Sequence, residues 1–216
     1  MNYKEIFDDR DMAIDKLLNI LPHELAAAHQ TLFIGINLGG AYMAQKLGEH
    51  FSQVSDIMLC EHIKAPNNES LTIAIVTENE DIVIHHQLIS SFDISEDFIY
   101  NEARRKYDSD ILDWKYRLRQ GDDLVNVKEK TVILVDDAIE TGFSMYAAIK
   151  SMIALGAKSI YILSPVIDKI AYSNLLTICD GIYSPNRVID YVSSDYYYKE
   201  LASLSHKDIQ VRQNIL

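Results

Sequence analysis

The 216-residue chain is 48% hydrophobic and 24% charged, so it is long enough to bury a sizeable core and is typical of a globular rather than a disordered protein. Its formal net charge of -12 argues against nucleic acid or an anionic membrane as the main partner, because both would be repelled. A small anionic ligand would therefore have to be held by local amides or by a metal ion.

Cysteine usage and the N-terminal residues bear on the cellular compartment. Cys60 and Cys179 each lie in or beside an apolar run, which favours buried free thiols over a disulfide or a zinc site. The N-terminus lacks the apolar region of a signal peptide, and no uninterrupted apolar run approaches membrane-spanning length. We therefore expect a cytoplasmic protein.

Helical and strand patterns alternate through the first part of the chain. In order they predict a helix over 11–30 interrupted at Pro22, a strand over 32–36, a turn at 37–40, a helix from Ala41, and a strand over 57–60. The double glycine at 39 and 40 supplies backbone freedom for a tight turn after the strand. A turn without any ligand is the alternative interpretation of this pair.

The middle of the chain changes to a β-rich pattern. Runs at 71–77 and 82–86, separated by the polar residues 78–81, predict a β-hairpin. A long charged stretch over 95–120 follows and has a helical composition, with Ser95 as N-cap and Gly121 as stop. The adjacent cations at 104–106 are interpreted as a solvated helix face or, alternatively, as part of a flexible lid.

The remaining elements complete an α/β pattern. They are a strand over 132–135, a helix over 144–155, a strand over 159–163, a helix over 171–178 and a short strand over 181–183. We predict a mostly parallel sheet flanked by helices. The simplest division is a single domain over 1–216, with a hairpin insertion at 71–86 and a C-terminal cap at 186–216.

The most informative stretch runs from Thr131 to Met145. A short, continuous aliphatic run is typical of a strand buried on both faces of a parallel sheet, and Asp136 and Asp137 follow it at once. Next come a small turn with Thr141-Gly142 and a helix. Ligands of open α/β sheets bind at the carboxyl ends of strands, where a helix N-terminus favours an anion. The stretch therefore predicts a phosphate site, although the acids alone could be a helix N-cap and an exposed neighbour.

In this order of aliphatic run, acidic pair, small turn, Thr-Gly and helix, Val132 to Met145 resembles the signature of the type I phosphoribosyltransferases. The resemblance extends less sharply to Gly39-Gly40, to the strand ending at Cys60 and to Ala65-Pro66. Over most of its length the chain is similar to bacterial phosphoribosyltransferase-domain proteins of unassigned substrate. The resemblance implies a Rossmann-like fold and Mg²⁺-dependent transfer of a phosphoribosyl group from phosphoribosyl diphosphate to a nitrogenous base, with release of diphosphate.

The resemblance also implies roles for individual residues. The acidic pair would accept hydrogen bonds from the ribose hydroxyls and hold Mg²⁺ directly or through water. Lys64 would join Leu38, Gly39 and Gly40 in binding the diphosphate. The whole loop would contact phosphoribosyl diphosphate, namely Asp136, Asp137, Ala138, Ile139, Glu140, Thr141, Gly142, Phe143 and Ser144. The catalytic residues would be Asp136, Asp137 and Glu140.

Glu140 occupies a position where many family members carry a small residue. Members that salvage purine bases resemble this chain in carrying an acid there. Our hypothesis is that Glu140 is a general base for an incoming nitrogen nucleophile. A solvated loop carboxylate is the alternative, and the sequence favours neither.

Departures from the family pattern cluster on the diphosphate side. Leu38 stands where related proteins often have a basic residue, and Glu61-His62 stands where they often have cations. A non-catalytic regulator that binds a nucleotide or a ribose phosphate is therefore the alternative function. A dinucleotide oxidoreductase is disfavoured because no G-x-G-x-x-G follows any strand. The tyrosines at 196–198 indicate packing of a terminal segment or an oligomer contact such as a homodimer. A cover over the site that selects the acceptor is the alternative.

Overall fold

The computed structural model describes residues 6–211, so residues 212–216 of the predicted C-terminal cap lie outside its description. The chain divides into two compact units. The first consists of Met1–Ile57 and Leu124–Leu216, and the second is Met58–Asp123. The predicted single domain with a cap over 186–216 stays a prediction.

The described residues form ten strands and eight α-helices. The strands are β1 (Thr31–Gly35), β2 (Val54–Ile57), β3 (Cys60–Ala65), β4 (Asn68–Thr77), β5 (Ile82–Ile84), β6 (Thr131–Val135), β7 (Ser159–Leu163), β8 (Val166–Asp168), β9 (Gly181–Tyr183) and β10 (Asn186–Val188). The α-helices are α1 (Arg10–Ile20), α2 (His23–Ala26), α3 (Leu38–Phe51), α4 (His86–Ser91), α5 (Glu96–Lys106), α6 (Leu112–Arg119), α7 (Phe143–Ala154) and α8 (Lys169–Leu175). None of these helices is long and apolar enough to cross a membrane.

The first unit is built on a five-stranded sheet in the order β2-β1-β6-β7-β9. Every neighbouring pair in it is parallel, which confirms the predicted fold class. The chain passes from β1 outward to β2 on one side and from β6 outward to β7 and β9 on the other. The boundary between β1 and β6 is therefore the point where strand order reverses, and ligands of open α/β sheets bind at such a point.

Continuous apolar runs explain the two central strands. Side chains from Val132 to Val135 in β6 are 0% exposed, and all five residues of β1 are buried. A strand that is buried on both faces needs apolar residues at every position rather than at alternate ones. The two strands pair residue for residue, from Thr31 with Thr131 to Gly35 with Val135, so they end at the same level.

The N-terminal and C-terminal segments of the first unit pair with each other. Phe7 donates its N–H to the Tyr197 carbonyl at 2.9 Å, and its own carbonyl accepts from the Lys199 N–H at 2.8 Å. Phe7 and Tyr197 are 0% exposed, and Tyr198 is also buried. The described part of the predicted cap therefore packs a terminal segment into the core, with the beginning of the chain beside it.

The second unit contains an antiparallel sheet in the order β3-β4-β5. The predicted hairpin is confirmed, since β4 pairs antiparallel with β5. The predicted strand over 57–60 is wrong, because β2 ends at Ile57 and Cys60 begins β3 of this second sheet. Between them Leu59 exchanges backbone hydrogen bonds with the side chain and the N–H of Glu78, at 2.8 and 2.9 Å. The contact with the Glu78 side chain separates β2 from β3, and the hydrophobic pattern alone does not predict this break.

The long helix predicted over 95–120 is three segments. Ser95 caps α5 by accepting from the Phe98 N–H, as predicted. A π-helical turn over Tyr107–Ile111 then separates α5 from α6. Gln120, in the left-handed conformation, ends α6 one residue before the predicted stop.

Candidate functional site

The site lies where β1 and β6 end side by side in the first unit. The ladder continues past both strands, because the Ile36 N–H donates to the Val135 carbonyl and the Asp136 N–H donates to the Leu163 carbonyl. Asn37 therefore faces the acidic pair that follows β6. Its side-chain amide donates to Asp136 Oδ1 at 2.7 Å.

Asp136 is a buried carboxyl group, 6% exposed. Its Oδ1 accepts the Asn37 bond and a longer one of 3.4 Å from the Ala138 N–H. Burial raises the pKa of Asp136 well above its usual range, and the neighbouring Asp137 charge raises it further. The first acid of the pair thus retains its proton more readily than a free aspartic acid.

Asp137 is held by both terminal segments. Arg10 donates from Nε and Nη2 to the same oxygen, Asp137 Oδ2, at 3.0 and 2.9 Å. The hydroxyl of Tyr198 donates to the main-chain carbonyl of Asp137 at 2.7 Å. On a third side, a Cβ added to Gly39 would collide with the Asp137 carboxylate. The second acid therefore has little freedom to turn.

The loop after the acidic pair is anchored at Ile139. Its N–H donates to the Val166 carbonyl at 2.9 Å, and its carbonyl accepts from the Asp168 N–H at 2.8 Å. The side chain is 2% exposed. β8 thus occupies the amide of Ile139, and the predicted contact of this residue with phosphoribosyl diphosphate stays a prediction.

Beyond this anchor, three consecutive backbone donors stand before a helix. Within residues 6–211, the N–H groups of Glu140, Thr141 and Gly142 donate to no protein acceptor. Gly142, at φ +74, is the left-handed N-cap of α7, which begins at Phe143 rather than at the predicted Ser144. The side chains of Glu140 and Thr141 are exposed. Amides without a protein acceptor at the start of a twelve-residue helix are a favourable place for an anion.

The predicted diphosphate turn at Leu38, Gly39 and Gly40 is the first turn of α3 instead. Asn37 caps this helix by accepting the Gly40 N–H at 2.6 Å. A Cβ at Gly40 would meet the Val135 carbonyl oxygen. The glycines let α3 approach the end of β6 closely, so packing explains them without a ligand.

A sequence profile of the phosphoribosyl transferase domain family matches residues 2–186. The chain belongs to this family. The predicted resemblance is thereby confirmed.

Individual relatives are distant. The chain is 22% identical over 170 residues to the bifunctional protein PyrR of Ligilactobacillus salivarius (strain UCC118), covering 77% of this chain and 75% of that protein. Its fold resembles the crystal structure of TT1426 from Thermus thermophilus with a TM-score of 0.74, 22% identity and coverage of 94% of this chain and 95% of that one. A hypoxanthine phosphoribosyltransferase from Staphylococcus aureus gives a TM-score of 0.46 at 13% identity over 88% of this chain and 83% of that one, too low to carry an argument.

Phosphoribosyltransferases generally use Mg²⁺ with their substrate, and the acidic pair is the part of this site that could hold one. Within the described residues, no three His, Cys, Asp or Glu side chains are grouped to hold a metal ion. Asp136 accepts from the neutral donors of Asn37 and Ala138, and Arg10 binds only one oxygen of Asp137. Two carboxylates with ligand phosphates and water fit Mg²⁺, which retains several waters in such sites.

Lys64 lies on β3 of the second unit. Its exposed ammonium group donates to Thr72 Oγ1 at 2.8 Å. Glu61 and His62 on the same strand are partly buried, and burial raises the pKa of Glu61 and lowers that of His62. The predicted role of Lys64 in binding diphosphate stays a prediction.

For four residues around the acids the sequence predicted no individual role, namely Arg10, Asn37, Tyr191 and Tyr198. Asn37 had a usable signal, because an Asn between a strand and a helix is a strong N-cap candidate. Burial raises the pKa of Tyr191 to about 12 despite its bond to Ser194, and the charges of Asp136 and Glu140 add to the rise. No sequence pattern predicts the contact of Arg10 with Asp137, because only the fold brings together these two residues, which lie 127 positions apart.

Proposed function

We propose that the chain is a Mg²⁺-dependent phosphoribosyltransferase that transfers the phosphoribosyl group of phosphoribosyl diphosphate to a nitrogenous base. The observation that carries the proposal is the row of open amides from Glu140 to Gly142 ahead of α7, directly after the carboxyl groups of Asp136 and Asp137. A phosphate at the amides and hydroxyls at the carboxylates are the two ends of a ribose 5-phosphate. Family membership supports this assignment.

Each part of the loop has a task in this proposal. The amides of Glu140, Thr141 and Gly142 hold the 5′-phosphate, helped by the α7 dipole and the Thr141 and Ser144 hydroxyls. Asp136 and Asp137 orient the ribose and stabilise positive charge that develops on it as diphosphate leaves. Bound Mg²⁺ would neutralise the departing diphosphate. The first turn of α3, with the N–H groups of Leu38 and Gly39, is the diphosphate contact that the first unit offers.

Glu140 is proposed as the base that accepts a proton from the incoming nitrogen. Its carboxylate is exposed and its charge acts on the same tyrosine as that of Asp136. Glu140→Gln should therefore lower kcat and remove the acidic limb of its pH profile while leaving binding of phosphoribosyl diphosphate intact. Unchanged turnover and an unchanged profile would leave Glu140 as a solvated loop residue.

A non-catalytic regulator with the same pocket is the second candidate. Two observations favour it, the absence of a basic residue at Leu38 and the occupation of one Asp137 oxygen by Arg10. Both candidates bind a ribose phosphate, but only the enzyme releases diphosphate.

Calorimetric titration with phosphoribosyl diphosphate, with and without Mg²⁺, tests the shared pocket. A diphosphate-release screen over purine and pyrimidine bases then separates the candidates. Release with one base would establish the enzyme, whereas binding without release from any base would favour the regulator. Absence of binding under both conditions would contradict both.

A further inference from the structure

Arg10 is the cation that lies against the acidic pair, although it precedes Asp137 by 127 residues in the sequence. It is the first residue of α1, and its side chain is 13% exposed. Two of its nitrogens bind Asp137 Oδ2, and the third, Nη1, donates to the Ala202 carbonyl at 2.6 Å. The guanidinium group thus ties the acid pair to the C-terminal segment.

The direction of these bonds matters for a ligand. Both nitrogens that reach Asp137 end on Oδ2, so Arg10 does not occupy Oδ1. The backbone of Asp137 is fixed independently by Tyr198, and Gly39 lies against the carboxylate. A charged, forked donor that is itself anchored restricts a carboxylate more than a single neutral donor does.

The charges of the acidic pair also favour a role for Arg10 at Asp137. Asp136 and Asp137 are adjacent and buried, so two negative charges there would repel each other strongly. Arg10 is the cation that compensates Asp137, and both of its bonds to the carboxylate end on one oxygen. Without it, the Asp137 carboxylate would lose this ion pair.

We infer that Arg10 is a positioning residue, which holds the Asp137 carboxylate in place for the ribose hydroxyls of the ligand. This inference rests on the proposed function, since it concerns the ribose half of the same site. It assigns the N-terminal helix a part in ligand binding. The phosphate half, built from residues 140–142, does not depend on Arg10.

The test compares two ligands that differ in the hydroxyl-bearing ring. Ribose 5-phosphate needs both halves of the site, whereas methyl phosphate needs only the amides. Titrations without Mg²⁺ should show that Arg10→Gln weakens ribose 5-phosphate binding by about tenfold or more, as expected for a lost charge-assisted contact. Binding of methyl phosphate should be unchanged. Arg10→Lys should recover part of the loss, because it restores the charge but not the fork.

Lys199→Gln is the matched control. Lys199 forms an exposed ion pair with Asp8 that joins the same two terminal segments but does not touch Asp137. This variant should bind ribose 5-phosphate as the wild type does. Thermal unfolding of all variants would show whether each is folded at the temperature of titration.

A double-mutant cycle with Asp137→Asn tests whether Arg10 affects ribose 5-phosphate binding through Asp137. If Arg10 acts through Asp137, Arg10→Gln should add little to the loss caused by Asp137→Asn. Equal loss of both ligands in Arg10→Gln, full additivity in the cycle, or unchanged binding of ribose 5-phosphate would each overturn the inference alone. A wild-type protein that binds neither ligand would instead contradict the proposed function.

Discussion

Strands β1 and β6 lie side by side and are both followed by polar residues, glycine and a helix, yet the two ends are built differently. After β1, Asn37 caps α3 at once, and Gly39 and Gly40 are helical residues packed against the neighbouring strand end. After β6, the loop is pinned at Ile139 and then leaves three amides open before Gly142 starts α7. At one end a side chain caps the helix at the Gly40 N–H, whereas at the other three consecutive amides have no protein acceptor within the described residues.

The difference shows that glycine after a strand has two physical uses. At Gly40 it removes a side chain so that backbones can approach, and at Gly142 it permits the left-handed conformation that precedes α7. In the proposed function, the second use bears on phosphate binding. Substitutions at the two ends should therefore separate stability from binding.

The largest effect is expected for Gly40→Ala. A helical Gly→Ala change ordinarily stabilises, but this Cβ would meet the Val135 carbonyl oxygen, which the sheet holds in place. We expect a loss of about 3 kcal/mol in the free energy of unfolding, measured by urea denaturation. A stabilised variant would show that the close approach of α3 to β6 is wrong.

Asn37→Ala should have the next largest effect, about 2 kcal/mol. It removes the cap of α3 and also a hydrogen bond to buried Asp136. Ser95→Ala, at the N-cap of α5 in the second unit, is the matched control and should cost only the cap, about 1 kcal/mol. Equal losses in urea denaturation would mean that the Asn37 bond to Asp136 contributes nothing.

Gly142→Ala should cost about 1–2 kcal/mol because its φ of +74 strains any side chain. It should also weaken ribose 5-phosphate binding, since the neighbouring amides would turn. Gly156→Ala has a similar φ of +80 and only ordinary contacts, so it controls for the strain. If calorimetry finds that Gly142→Ala binds ribose 5-phosphate with unchanged affinity, this loop does not bind the phosphate.

The smallest effect on stability should come from Asp136→Asn, and it should be a gain. The folded protein holds a proton on Asp136 to higher pH than the unfolded chain does, because burial raises its pKa. Stability from this group therefore falls as pH rises above the unfolded pKa of about 4. Thermal unfolding should show the variant increasingly favoured from pH 4 to pH 7, together with weaker binding of ribose 5-phosphate. A gain that is equal at both pH values would contradict the raised pKa.

The parallel sheet could be predicted because its central strands are short apolar runs that are buried on both faces. The acidic pair and the amides near Thr141 and Gly142 could be assigned to the end of a strand because they follow β6 directly in the sequence. The error at 57–60 arose because a side-chain contact with Glu78, not hydrophobicity, ends the strand. The helical start at Leu38 was missed because glycine is a poor helix former, and tertiary packing overrides that preference.

The partners of the acidic pair could not be predicted, because the sequence contains no record of distance in space. Arg10 stands among acidic residues at the start of a helix, where an exposed side chain is the ordinary expectation. The carboxylate it binds and the carbonyl at Ala202 come from distant segments. Contacts of this kind depend on the completed fold.

The pairing of the terminal segments has a consequence for the order in which the protein is made. Arg10 leaves the ribosome well before its partner Ala202, which lies 192 residues later. Closing so large a loop costs entropy before the contact forms. The parallel sheet can assemble around β1, β6 and β7 while the C-terminal segment is still being synthesised. The environment of Asp137 is therefore completed only after Ala202 has been made, and a nascent chain with a formed sheet still lacks the anchored Arg10 beside its acidic pair.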